Sequence, residues 1–102
     1  MKIIKTNTFN KQYSKLDSSI QNLIKKQIKI VTNQKKFGKP LYKNIIFERK
    51  VESYRIYFIV LNQSELVLIF VSIAKKHSKK SQQEDIEFVK KILKIYLKEF
   101  QL

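Results

Sequence analysis

Two apolar stretches of this chain end in residues that can do chemistry. The first opens Tyr54-Arg55-Ile56-Tyr57; the second, Leu66 to Ile73, runs directly into Lys75, Lys76 and His77. A hydrophobic sheet that delivers a guanidinium, two ammoniums and an imidazole to one edge has the means to grip a phosphodiester and to cleave it. His77 is the only histidine, and its unperturbed pKa of about 6.5 suits a general acid or base near neutrality. The same cations also fit a solvated lysine face. The phosphodiester reading requires Arg55, Lys75 and Lys76 to converge in one concavity sized for a nucleotide backbone.

The composition limits the alternatives. The chain has 102 residues, enough for one domain (1–102) with one modest core. Its 22 basic and 8 acidic residues give a net charge of +14, which attracts polyanions over long range and makes nucleic acid the leading partner, ahead of an acidic protein. Only Arg49 and Arg55 are arginine, and a chain rich in Lys, Ile and Asn is also what a nucleotide bias in the gene can produce. Cysteine is absent, so disulfides and thiolate zinc sites are excluded, and a single histidine argues against a His-rich metal site. No cofactor or metal is expected. The longest apolar run is far shorter than a membrane span needs, and the N-terminus lacks the apolar core of a secretory signal. A soluble cytoplasmic protein that does not engage a membrane is the simplest expectation.

Several elements must position those residues. Lys2 to Lys5 forms a short strand. Phe9, Tyr13 and Leu16 fall on one helix face, and Asp17 or Ser18 caps a second helix whose stripe is Ile20, Leu23, Ile24, Ile28 and Val31. Gly38-Lys39-Pro40-Leu41 closes this αα-hairpin and turns the chain. Ile45 to Glu52 alternates as a strand, with Glu48, Lys50 and Glu52 on one face. In the next strand Tyr54, Ile56, Phe58 and Val60 share one face, and Arg55, Tyr57 and Ile59 the other. Asn62-Gln63-Ser64 makes a hairpin turn into Leu66 to Ile73, which is apolar throughout, as a central strand buried on both faces is. An amphipathic helix from about Gln82 to Phe100 turns Ile86, Val89, Leu93, Tyr96 and Phe100 inward. The fold class is α+β, in the order βααβββα. The sheet is small and mostly antiparallel, with the α-hairpin packed on one face and a C-terminal helix, the helices grouped on the same side. The last helix is also apolar at Ile92, Ile95 and Leu97, a surface for a second copy of the chain or for another protein.

The chain resembles the RelE/ParE superfamily of type II toxin–antitoxin toxins over most of its length. Phe9-x3-Tyr13-x2-Leu16 resembles the family's opening helix, Gly38-Lys39-Pro40-Leu41 its link into the sheet, and Tyr54-Arg55-Ile56-Tyr57 its central strand. Val71-Ser72-Ile73-Ala74-Lys75-Lys76 resembles the last strand and the basic loop after it. Lys79-Lys80-Ser81-Gln82-Gln83 resembles a RelE-like subgroup with a Lys-Lys-x-Gln-Gln segment before the last helix. The resemblance implies one of two activities: endoribonuclease cleavage of mRNA, usually on the ribosome, or inhibition of DNA gyrase by a binding module. A member that only binds its antitoxin is a third outcome. Either activity implies a cognate acidic antitoxin, and assembly as a homodimer or a toxin–antitoxin hetero-oligomer.

Metal-free RNA cleavage needs a base for the 2′-hydroxyl, a cation for the charge building on the phosphorane, and an acid for the leaving 5′-oxygen. Arg55 matches the family's strand arginine, and its planar fork holds two phosphate oxygens at once. Lys76 matches a phosphate-contacting position, with Lys75 before it and His77 after it as acid or base. These three, Arg55, Lys76 and His77, are the catalytic candidates. The RNA-binding candidates are Lys75, Arg49, Lys50, Lys79 and Lys80, with Arg49 and Lys50 both near a second basic position of the family. Some members use a strand carboxylate as base, which brings in Glu48 or Glu52, although a charge-paired exposed face explains those residues as well. RelE-like ribonucleases often carry a tyrosine near the start of the last helix, where this chain reads Ser81-Gln82-Gln83; Tyr54 and Tyr57 are the aromatics left to stack on a base.

Overall fold

Nearly every position of the two longest strands is apolar, so the sheet needs cover on both sides, and the chain supplies it. The computed structural model describes residues 1–62, 64–76 and 79–99. The elements are β1 (Lys2–Lys5), α1 (Asn7–Ser14), α2 (Ser18–Gln34), β2 (Lys39–Tyr42), β3 (Ile46–Val51), β4 (Tyr54–Asn62), β5 (Leu66–Lys75) and α3 (Lys79–Glu99). The strands form one sheet in the order β1-β5-β4-β3-β2; β1 runs parallel to β5 and all other pairs are antiparallel. The α+β class, the mostly antiparallel sheet, the α-hairpin and the C-terminal helix agree with the sequence reading. The link at Gly38–Leu41 adds a strand to it, because Lys39–Tyr42 pairs along the edge of β3. Phe100, expected on the inner face of the last helix, lies outside the described residues.

The two faces of the sheet hold two cores. Ile56, Phe58, Val60, Leu68, Phe70 and Ile73 pack with Phe9 of α1 and with Ile24 and Val31 of α2. Tyr57, Ile59, Leu61, Val67, Ile69 and Val71 pack with Val89 and Leu93 of α3. The helices therefore sit on opposite faces, which corrects their expected grouping on one side. The physical reason is the apolar second face: left uncovered, it would expose a contiguous hydrophobic patch to water.

Side-chain caps lock the hairpin to the sheet. The Thr6 hydroxyl accepts from the Phe9 N–H at 3.1 Å and donates to the Val71 carbonyl at 2.7 Å, so one residue starts α1 and ties it to β5. Asp17 caps α2, accepting from the Ile20 N–H at 3.0 Å and the Ser19 hydroxyl at 2.6 Å; these bonds lower its pKa. The β2–β3 turn has Lys43 and Asn44 both left-handed (φ 48° and 54°), as a tight two-residue hairpin turn requires.

One irregularity decides how the strand ends face. Tyr57 pairs with Ser72 but Phe58 pairs with Phe70, so Val71 is an extra residue, a β-bulge. The bulge reverses the alternation of β5. Even-numbered residues face α1 and α2 before it; odd-numbered residues do so after it. Gln12 of α1 accommodates the break, its side-chain oxygen accepting from the Ile73 N–H at 2.6 Å.

Candidate functional site

Register assembles a polar cluster on the α3 side of an otherwise apolar sheet. In β3, Glu48 lies opposite Tyr57 and Lys50 opposite Arg55; in β5, Ser72 and Ala74 complete the row. Period-two alternation puts all six on one face. The Glu48 carboxylate is 1% exposed and lies 3.7 Å from the Arg55 Nε, whose side chain is 15% exposed. From above, Gln82 in the first turn of α3 donates to the other Glu48 carboxylate oxygen at 2.7 Å. A carboxylate this deep requires both a cation and a hydrogen-bond donor, because an isolated buried charge is heavily penalised.

The satisfaction is incomplete. Among the described residues, Glu48 Oε1, Arg55 Nε and the Tyr57 hydroxyl find no hydrogen-bond partner, although all three are buried. Burial, helped by the carboxylates of Asp85 and Glu48 and opposed by Arg55, pushes the Tyr57 phenol up to about 12. The cluster thus presents a carboxylate, a guanidinium and a phenol that keeps its proton, gathered beneath the first turns of α3. A carboxylate can take a proton, and a guanidinium can hold the oxyanion that forms.

The residues singled out from the sequence divide between two faces. Arg55 belongs to the cluster, tied to Glu48, and is not an open clamp beside Lys75. The bulge at Val71 places Lys75 opposite Tyr54, on the α1–α2 side, whereas Arg55 lies opposite Ala74. The expected convergence of Arg55 with Lys75 is therefore corrected: strict alternation would have joined them, and the extra residue separates them. Lys76 is exposed and its N–H donates to the Ser53 carbonyl at 2.6 Å, so alternation returns it to the side of Arg55 at the end of the sheet. His77 lies outside the described residues. Lys50 is exposed at the end of the polar row; Lys79 and Lys80 are exposed in the first turn of α3. Arg49 points the other way, its Nε donating to Gln27 and one terminal nitrogen to the Lys36 carbonyl at 2.8 Å. Glu52 has left the strand for the β3–β4 turn, at φ 55°, so it no longer shares a face with Glu48 and Lys50.

Sequence reasoning weighed Glu48 only as one of three charges on a strand face, and read Gln82 as part of a signature rather than as a partner. The pair is 34 residues apart. Ile46, two residues before Glu48 and therefore on the same strand face, is the one sequence signal that could have marked Glu48 as inward.

Comparison with known proteins adds the fold. No protein-family model matches the chain, and no curated protein sequence matches it. Solved structures do. The chain is similar to the intact RelBE toxin–antitoxin complex of E. coli, with TM-score 0.64, 20% identity, and coverage of 76% of this chain and 98% of the other. It is similar to the isolated E. coli RelE toxin, with TM-score 0.65, 17% identity, and coverage of 86% and 97%. A RelBE toxin–antitoxin complex from Mycobacterium tuberculosis gives TM-score 0.56, 15% identity, and coverage of 74% and 96%. Helix hairpin, sheet and terminal helix together give this chain the fold of the RelE toxins.

Proposed function

We propose that this chain is the toxin of a type II toxin–antitoxin pair and that it is an endoribonuclease cutting mRNA, on the ribosome or free of it, without a metal. The convergence of Arg55 with Lys75 that the sequence reading required is absent, and Arg55 is paired internally, so the reading now rests on a different observation: the Glu48–Arg55 pair, held on the inner face of β3 and β4 in a RelE fold. Glu48 takes the proton of a ribose 2′-hydroxyl. The 2′-oxygen attacks phosphorus, the bond to the 5′-oxygen breaks, and a 2′,3′-cyclic phosphate and a 5′-hydroxyl result. Arg55 holds the non-bridging oxygens as charge builds on them. Lys50 and Lys76, at the exposed margin on the same side, supply further positive charge, and His77 next in the chain is the proposed donor to the leaving oxygen.

Glu48 is sealed from solvent in the closed arrangement, so the first turns of α3 must move aside for RNA to reach it. The Gln82 bond to Glu48 is the contact that this motion breaks. The cognate partner is a small acidic antitoxin, whose carboxylates complement a charge of +14 and whose apolar side chains cover the exposed Phe88 and Ile95 of α3.

Purified protein incubated with RNA in excess chelator tests the reading. Cleavage by the wild type, lost in Arg55→Gln with the fold intact, supports it; equal cleavage by both removes Arg55 from the mechanism. Two observations favour a second reading, a gyrase-directed or purely antitoxin-binding member: Arg55 is engaged internally, and no tyrosine opens α3. That version predicts blocked DNA supercoiling, or no toxicity, with RNA untouched.

A further inference from the structure

Buried polar atoms in native proteins almost always find a partner, and three neighbouring atoms of the cluster under α3 do not. Register brings them together. Tyr57 lies opposite Glu48 across the β3–β4 ladder and two residues from Arg55 on its own strand, so all three side chains rise from one face. The Tyr57 ring is fully buried, in one core with Ile46, Ile59 and Val89. The charges of Asp85, Glu48 and Arg55 lie close enough to act on its hydroxyl. Asp85 sits in the second turn of α3, so the hydroxyl lies beneath the part of that helix that must move aside for RNA. Among the described residues this hydroxyl has no hydrogen-bond partner. Neither has Arg55 Nε or Glu48 Oε1, and at 3.7 Å those two stand too far apart to bond each other.

The unpaired atoms form a matched set. Glu48 Oε1 needs a donor, whereas Arg55 Nε and the Tyr57 hydroxyl can each donate to an acceptor. A ribose 2′-hydroxyl beside its own 3′-phosphate carries the complement: one O–H to give, and non-bridging oxygens to receive. A phenylalanine would fill the place of the ring without stranding a hydroxyl, so packing alone does not account for the tyrosine. Burial pushes the phenol up to about 12, so it keeps its proton at neutral pH and serves there as a donor, not as a base.

We infer that the Tyr57 hydroxyl is a catalytic group of the cleavage reaction, donating a hydrogen bond to a non-bridging oxygen of the scissile phosphate beside Arg55. The inference rests on the ribonuclease reading and adds a third residue to its site. The bond from the 2′-oxygen to phosphorus forms as the bond from phosphorus to the 5′-oxygen breaks. The 2′-hydroxyl proton goes to Glu48, and the leaving 5′-oxygen takes its proton from the proposed donor, His77. Tyr57 gives up no proton. Its hydrogen bond strengthens as negative charge gathers on the phosphorane oxygens, so it acts on the transition state more than on binding.

Single-turnover cleavage of an RNA oligonucleotide with one unmodified 2′-hydroxyl, in excess chelator, tests the role. Tyr57→Phe is expected to lower the rate constant by about 10²-fold. Its Kd for the same oligonucleotide fully 2′-O-methylated, which cannot be cleaved, should change by less than about twofold. Its urea midpoint at neutral pH should equal or exceed that of wild type, because the change removes a hydroxyl that has no partner. Sulfur placed at each non-bridging oxygen in turn gives a readout that a structural role would not move. Sulfur accepts hydrogen bonds poorly, so one diastereomer should slow the wild type, and should slow Tyr57→Phe about tenfold less. A wild-type rate in Tyr57→Phe overturns the inference. So does a loss that lies in Kd, or a sulfur effect equal to that of wild type, since the hydroxyl then does not act on that oxygen. A lower urea midpoint marks a structural hydroxyl and overturns it as well. Wild type that cleaves, and stops cleaving in Arg55→Gln but not in Tyr57→Phe, defeats Tyr57 alone. Wild type that leaves RNA intact, with and without translating ribosomes, defeats the ribonuclease reading and this inference together.

Discussion

The Glu48–Arg55 pair should be among the most strongly coupled pairs in this molecule, and a double-mutant cycle measures it. At 3.7 Å, with an effective dielectric constant of about 20, the attraction between the two charges is about 4 kcal/mol. The burial of both side chains limits screening by solvent. No hydrogen bond joins Nε to Oε1, so the net coupling belongs in the lower part of the range for contacting residues, about 1–2 kcal/mol. Glu48→Gln keeps the shape and can still accept from Gln82, but it strands a guanidinium under α3, at a cost of about 3 kcal/mol. Arg55→Gln strands the carboxylate at a similar cost. The double variant, with two neutral amides that can bond to one another, should be less destabilised than the sum of the single changes by the coupling energy. Urea unfolding of all four proteins at neutral pH reads these differences directly. Single costs under about 0.5 kcal/mol with no coupling are the behaviour of a solvent-exposed pair, and would refute the closed cluster.

Three other perturbations have defined outcomes. The raised Tyr57 pKa stabilises the neutral phenol in the fold, so its contribution is complete below pH 10 and is lost as pH climbs from 10 toward about 12. Thermal melts of wild type and Tyr57→Phe should therefore diverge over that window, by up to about 2–3 kcal/mol, with the phenylalanine variant the less sensitive; parallel decline in both contradicts the assignment. Gln12→Leu removes the acceptor of the Ile73 N–H at the bulge and should cost about 1–3 kcal/mol in urea unfolding, whereas a neutral result means that the bulge is otherwise satisfied. Gly38→Ala combines a left-handed backbone with a 2.7 Å approach to the Glu48 carbonyl; it should destabilise by more than about 1 kcal/mol, and an unchanged melting temperature would contradict the close packing of Gly38 on β3.

Much of the architecture is legible in the sequence because it follows period. The alternation of Tyr54, Ile56, Phe58 and Val60 against Arg55, Tyr57 and Ile59 predicts the two faces of β4 as they stand, and Asp17 marks the start of α2 where it occurs. The parts that escape are those where period breaks or distance intervenes. Nothing in Val71-Ser72-Ile73 announces a bulge, yet that one residue moves Lys75 away from Arg55. Charges at 48, 50 and 52 look like a solvated face when strand pattern alone is considered. Glu48 is instead buried because α3, chosen by the apolar second face of the sheet, closes over it and supplies Gln82. Glu52 leaves the row because the chain must turn there.

The claim that Glu48 and Arg55 form a metal-free RNA-cleaving pair is tested most directly by the chemistry of the product ends. RNA is incubated with purified protein in chelator and the fragments are resolved by mass spectrometry. The account predicts 2′,3′-cyclic phosphate and 5′-hydroxyl ends from the wild type. It predicts loss of cleavage by about 10²-fold or more in Glu48→Gln, and none at a nucleotide whose 2′-hydroxyl is replaced by hydrogen. Cleavage that persists unchanged in Glu48→Gln, or intact RNA after prolonged incubation with the wild type and translating ribosomes, would contradict it.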